Sequence, residues 1–481
     1  MKIVKLILML LTMFIVSMYF FPFNFTALPS QPTKNYLAAI GLVSIVLTFL
    51  LKGNMSFPKE VIVLLLLAGG VSVISYISVV YNHTPDYSYV TYVRAAIIWL
   101  CAAYVVALTI RLVHGYIDAK LIVDYLVAVC VFQCAMAMLI EFVPAVQMFV
   151  DAHVSQGQSL LKGMERLYGI GAYLDIGGSR FAVVLVAMAA VVSSELKQMK
   201  VPKLLMYGTA FAIITVIGNM IARTTIVGVI LSIGLFVMRY LQGLFGKGDG
   251  TFGRVLVSFG MVLAVFIPAG IILYRTFPDF QDLMEFGFEG IFNYFEGGEL
   301  ETASTNTLKS MIVFPENIST WIIGDGYFAN SRFDQNYLGD ATTGGFYMGT
   351  DIGYLRFIFY AGIFCLIAMS AVIIYAANIC IKAIPDYKIL FILAAAVNFI
   401  VWFKVATDIF LFFCLFICAN IIYETLDAPE EIEEDDEDEL NEEECEDDDY
   451  DGSDEEDDGL DDEDSEKVPL HRYPGAMPTK A

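Results

Sequence analysis

A guanidinium is costly in hydrocarbon, so arginines at the edges of long apolar runs are the first residues to question for chemistry. "VIGNMIARTTIVGVILSIGLFV" (Val216–Val237) carries one, Arg223, in a stretch that is otherwise almost wholly apolar. At the bilayer centre it would cost at least about 2.5–3.5 kcal/mol, which places Arg223 at a turn between two spans. "GMERLYGIGAYLDIGGSRF" adds Arg166 and Arg180, "LYRTFPDF" adds Arg275, and "GTDIGYLRFIFYAGIF" adds Arg356 with Asp351 near the helix entrance. Arginine grips phosphate oxygens through two parallel hydrogen bonds. Arg180, Arg223, Arg275 and Arg356 at one membrane depth would therefore suit a lipid-linked diphosphate whose tail stays in the bilayer. Two blander readings stand beside this one. Arg223 snorkels toward lipid phosphates, and Arg356 pairs with Asp351 as a structural salt bridge.

"TWIIGDGYFANSRFDQNYLGDATTGGFYMGTDIGYLR" sets Trp321, Tyr327, Phe328, Tyr337, Phe346, Tyr347 and Tyr354 among Asp325, Asn330, Asp334 and Asp340. Aromatic faces with polar groups between them suit sugars, and Trp321, Tyr347 and Tyr354 are the candidate sugar contacts, with Arg166 beside them. The alternative is an ordered cap whose aromatics form its own small core. "GDG" at 324–326 is a turn signature, and "GG" at 344–345 suits a flexible approach to the helix. No GxxxxGK[ST] nucleotide loop is present.

The elements that must position these residues are membrane helices. The chain has 481 residues, 57% of them hydrophobic and 14% aromatic, which indicates an all-α polytopic membrane protein. Apolar windows predict about twelve spans, near 3–22, 36–51, 61–80, 92–110, 121–143, 180–195, 204–222, 224–238, 255–274, 352–375, 389–403 and 409–423. The first is read as a transmembrane helix, since no small-residue cleavage site follows it. Lysines and arginines in the short loops put both termini in the cytoplasm. Residues 1–423 then form the membrane domain, with two long external segments at about 144–179 and 275–350.

Residues 424–481 form a tail. Its Glu430–Glu466 stretch holds 27 of the chain's 53 acidic residues, which accounts for the net charge of −25. Such a segment repels itself and is expected to be disordered in the cytoplasm. It is either a solvated tail or a docking segment for a basic partner, such as a chain-length regulator. The eight cysteines show no disulfide framework, and four histidines without an H-x-x-x-H pair argue against a metal site. No nucleic-acid partner is expected.

"IARTTIVGVIL", "ERLYGIGAYLDIGGSRFA" and "GDGYF … GGFYMGTDIGYLRFIFYAG" resemble the integral-membrane O-antigen and capsular polysaccharide polymerases, in the superfamily that also contains the O-antigen ligases. The resemblance covers roughly residues 160–375 and the twelve-helix plan, not the acidic tail. It implies a GT-C-like glycosyltransferase that needs no metal or other cofactor and uses undecaprenyl-diphosphate-linked glycans outside the cytoplasmic membrane of a bacterium. A polymerase moves the growing chain onto a new lipid-linked repeat, whereas a ligase moves the finished chain onto lipid A core. The resemblance implies that Arg223, in the arginine-bearing hairpin, holds the diphosphate, with Arg180, Arg275 and Arg356 in support. Ligases use a histidine base in the large external loop, and none lies between Arg275 and Thr350. That leaves a carboxylate, with Asp351 as first candidate and Asp325 and Asp175 as runners-up. The rival reading from another class is a lipid-linked oligosaccharide flippase or exporter.

Overall fold

A computed structural model describes residues 2–52, 58–157, 161, 166–245, 253–298, 301–331, 337 and 345–426. The acidic tail from residue 427 onward, Asp334, Asp340 and Gly344 lie outside the described residues. The protein is all-α and multi-pass. Among the described residues, ten helices are long and apolar enough to cross a membrane. They are α1 (Lys2–Phe20), α2 (Thr33–Lys52), α3 (Lys59–Asn82), α4 (Tyr92–His114), α5 (Ala119–Phe142), α7 (Leu174–Glu195), α8 (Val201–Ile221), α9 (Ile226–Leu244), α10 (Gly253–Thr276) and α15 (Gly353–Ala383). The short α6 (Pro144–His153) follows α5 directly. Two further helices, α16 (Lys388–Val401) and α17 (Phe410–Leu426), stand where the last two spans were expected. At 1.5 Å per residue they are about 21 and 26 Å long, short of a hydrocarbon core of about 30 Å.

Local chemistry sets several boundaries. Asp118 caps α5 by accepting from the Leu121 N–H at 2.7 Å, which satisfies one of the helix's orphan donors. Gly115 ends α4 in the left-handed conformation, φ 82°. Helix α7 begins six residues earlier than the sequence pattern predicts. Asp175 and Arg180 therefore belong to the helix itself and not to the loop before it.

Helices α7 and α17 are buried along nearly their whole length. α7 packs on α5, α8, α9 and α16, and α17 packs on α4 and α15. By contrast α1, α2 and α10 expose runs of Leu, Ile and Val, a surface that only lipid or another apolar face could cover. α7 and α9 approach so closely that a Cβ on Gly228 would lie 2.3 Å from the Ala182 carbonyl oxygen.

The segment expected as the second long loop is largely helical where it is described. It contains α11 (Pro278–Gly287), α12 (Glu289–Gly297), α13 (Ala303–Ser310) and α14 (Ile318–Ile322). α14 packs on α15, whose helical path breaks at Ala361 and Gly362. Carbonyls released by the break find new donors. Asp325 N–H reaches Phe359 O at 2.6 Å and Gly326 N–H reaches Tyr360 O at 3.1 Å, while Ser78 Oγ also donates to Tyr360 O at 2.8 Å. This is how a broken helix survives where water is scarce. The 324–326 turn is thus real, with φ of 82° and 76° at its glycines.

Candidate functional site

The loops after α1, α3 and α6, the α8–α9 turn, the 277–352 segment and the 402–409 link all meet at one end of the bundle. Asn24–Phe25 pairs antiparallel with Val154–Ser155. Asp86 Oδ2 accepts from Phe328 N–H at 2.7 Å and Ala329 N–H at 3.3 Å, locking the α3–α4 loop to the long segment.

Arg223 opens a single 3-10 turn, Arg223–Thr225, between α8 and α9. The turn places it at this end of the bundle, but its guanidinium is already occupied. Nε donates to the Phe286 carbonyl at 2.9 Å and Nη1 to Ser304 Oγ at 3.2 Å. Nη1 also forms an ion pair with Glu289 at the start of α12. The guanidinium lies 4.3 Å from the Phe286 ring centroid, and that of Arg166 lies 4.8 Å from the same ring. Arg223 and Arg166 therefore clamp the long segment onto the bundle through Phe286.

Arg356, in the first turn of α15, is 7% exposed. Its Nη1 donates to Asp351 Oδ1 at 3.2 Å and its Nη2 to the Phe328 carbonyl at 2.9 Å. The guanidinium lies against Phe328 and Phe346, at 3.6 and 4.4 Å from their ring centroids. The salt-bridge reading of this pair is what the geometry presents. Arg275 is exposed at the end of α10 and makes no hydrogen bond or ion pair with the described residues. The four expected arginines thus stand in different surroundings, since Arg223 and Arg356 are paired with carboxylates and Arg275 is exposed.

Asp351 carries the acid–base potential. Asp351 has a side chain 20% exposed, and only its Oδ1 is engaged. Burial pushes its carboxyl up to about 6; Arg356 pulls it down, Asp175 pushes it up and Lys404 pulls it down. Asp175 Oδ1 accepts from Lys404 Nζ at 2.7 Å and from the Thr224 hydroxyl. Lys404 belongs to the 402–409 link, so α7, the α8–α9 turn and that link are joined at one point. Asp325 has no free oxygen. Thr320 Oγ1 donates to its Oδ1 at 2.7 Å and Tyr347 Oη to its Oδ2 at 3.1 Å. These bonds tie Thr320 to Tyr347 through the Asp325 carboxylate.

The expected sugar contacts are mostly internal. Tyr347 is buried against Tyr327 and Phe359. Trp321 donates to the Pro315 carbonyl at 3.0 Å and stacks on Phe314. Tyr354 donates to the Phe399 carbonyl at 2.8 Å and packs on Trp402 and Phe403. The ordered-cap alternative describes Tyr347, with its small core of Tyr327, Ile352, Leu355 and Phe359.

A second charged group lies deeper. Arg180 sits in the second turn of α7, 7% exposed, with its guanidinium 5.8 Å from the Phe21 ring centroid. Lys34 Nζ lies 4.3 Å from the Trp99 ring centroid. Asp408, in the 402–409 link, is within electrostatic range of both cations.

No family model, curated protein or solved structure matches the chain.

Sequence reasoning passed over Lys34, Lys404 and Asp408. Lys404 and Asp408 are the only charges in the apolar stretch from 389 to 423. The reasoning that singled out Arg223 applies to both of them unchanged. Glu289 carried no such signal, since its segment is rich in carboxylates.

Proposed function

We propose that this protein polymerises undecaprenyl-diphosphate-linked oligosaccharide repeats into a surface polysaccharide, as a GT-C-like glycosyltransferase at the outer face of the bacterial cytoplasmic membrane. The end of the bundle that holds Asp351 is then the outer end. The observation that carries the reading is Asp351, a carboxylate with one oxygen free and a pKa of about 6, set beside Arg356 and near Lys404. A base of this strength is well matched to taking a proton near neutral pH.

In this reaction Asp351 accepts the proton of the acceptor sugar's hydroxyl. The hydroxyl oxygen bonds to the anomeric carbon of the donor chain. The bond from that carbon to the diphosphate breaks, and its electron pair leaves with the carrier. Cations fixed at this end stabilise the charge that develops on the departing diphosphate. Lys404 and Asp175 set the local field around Asp351 and do not themselves exchange a proton in this scheme.

The decisive experiment is an electrophoretic profile of surface polysaccharide from a strain lacking the gene, complemented with wild type or Asp351→Asn. A ladder that collapses to single repeats, and is restored by wild type alone, is the expected result. Long chains that stay on the lipid carrier would make the protein a ligase, and loss of even the single repeat would make it an exporter. A full ladder from Asp351→Asn would remove Asp351 from the chemistry.

A further inference from the structure

Two cations lack the carboxylate partner that Arg223, Arg356 and Lys404 each have at this end. Arg180 makes no hydrogen bond or ion pair with any described residue, although it is nine-tenths buried. Lys34, half-buried as the second residue of α2, likewise makes no hydrogen bond or ion pair with a described residue and has the Trp99 face against it. Asp408 does not neutralise them. It is beyond ion-pair distance of both, and its oxygens are taken up locally, Oδ1 by Phe410 N–H at 3.1 Å and Oδ2 by Tyr92 Oη at 3.4 Å. The group therefore holds two cations against one carboxylate, in walls of Tyr19, Phe21 and Trp99.

The Arg180 nitrogens are not among the fully enclosed unpaired atoms, so this largely buried guanidinium, without a described partner, stays open to water or a ligand, and dehydrating it unpaired would be strongly unfavourable. A protein keeps such a group where it does work. Arginine offers a planar fork that fits a phosphate, and lysine adds a movable point charge. At Arg223 or Arg356 an anion would first have to displace Glu289 or Asp351. At Lys34 and Arg180 it displaces nothing. The site is also close to the acid–base group. Asp408 and Lys404 are four residues apart in one link, at most about 14 Å along the chain.

We propose that Lys34 and Arg180 form an anion site for a phosphate-class group, and that this site, not Arg223, receives the diphosphate of the carrier lipid. The inference rests on the proposed activity only for the identity of the diphosphate. The 402–409 link then carries Asp408 behind the diphosphate and Lys404 toward the reacting sugar.

The test uses the full-length protein purified in detergent and titrated with inorganic pyrophosphate, with thermal unfolding as the readout. Pyrophosphate should raise the midpoint of wild type. Lys34→Met and Arg180→Met should each weaken that response by about tenfold or more, while Arg223→Met should keep it. Without ligand, Arg180→Met should unfold at the same temperature as wild type or higher, because it removes an uncompensated buried charge. A lower midpoint would mark Arg180 as a structural residue and overturn the proposal. So would absence of a pyrophosphate effect in wild type, or its loss in Arg223→Met. Equal competition by phosphatidylglycerol would assign the site to a bilayer lipid and also overturn it. The assay contains no glycan, so a protein that binds pyrophosphate through Lys34 and Arg180 yet polymerises nothing would refute the activity and leave the site standing.

Discussion

A carboxylate serves as a base only when it is deprotonated and has an oxygen free for the incoming proton. Asp351 meets the second condition, and its pKa of about 6 decides the first. Below pH 6 it is protonated and cannot accept, so turnover should rise through pH 6 and level off above it. The neighbours set the position of that rise. Asp175 pushes the Asp351 pKa up and Lys404 pulls it down. Asp175→Asn should therefore move the rising limb to lower pH and Lys404→Met should move it to higher pH. Each shift should be up to about one unit, equivalent to about 1.4 kcal/mol. A pH–rate profile for the three proteins checks this, and a limb that stays fixed in both variants would exclude Asp351 as the titrating group.

At the scale of elements, two joints hold the long segment in place. One is the clamp in which Arg223 reaches Glu289, Ser304 and the Phe286 carbonyl. Its ion pair is partly buried, with side chains 16% and 23% exposed, between the regimes of about 0–1 kcal/mol for surface pairs and about 3–5 kcal/mol for breaking buried ones. Arg223→Glu should loosen residues 277–310 to protease, and the double exchange Arg223→Glu with Glu289→Arg should restore protection. An exchange that restores nothing would return Arg223 to a ligand-binding role. The second joint is the break in α15. Gly362 has φ 74° and ψ −177°, a region essentially restricted to glycine, and a Cβ there would lie 2.1 Å from the Ile322 carbonyl oxygen. Gly362→Ala should lower stability by at least about 1–3 kcal/mol, seen as a lower unfolding midpoint and a displaced α14. An unchanged midpoint would mean that the break relaxes freely.

On the whole-molecule scale, ionic groups sit at both ends of the bundle, Arg223, Arg356, Asp351, Asp175 and Lys404 at one and the Lys120–Glu195 and Lys203–Asp124 pairs at the other, while α1, α2 and α10 present apolar faces along its length. If the end that holds Asp351 faces outward, a cysteine introduced at the exposed Thr307 should react with a membrane-impermeant maleimide in intact cells. One at Lys388, at the opposite end, should react only after the membrane is opened. The reverse pattern would invert the topology and exclude a reaction with substrates delivered to the outer face.

The helical membrane architecture and most helix positions were legible in the sequence, because exclusion of polar backbone from hydrocarbon is a local demand on twenty or so consecutive residues. Arg223 at a turn was legible for the same reason. Which cation meets which carboxylate was not. Lys404 reaches Asp175 across 229 residues of sequence, and Arg223 meets Glu289 only because α12 folds back over the α8–α9 turn. Tyr347 read as a sugar platform from its type alone, yet it turned inward to bond Asp325. Composition and spacing report the cost of placing a group in lipid or in water. Pairing depends on distances of a few ångströms between remote segments, and only the packed bundle sets those. That packing left Arg180 and Lys34 without a hydrogen-bond or ion-pair partner among the described residues while it supplied carboxylate partners to Arg223 and Arg356.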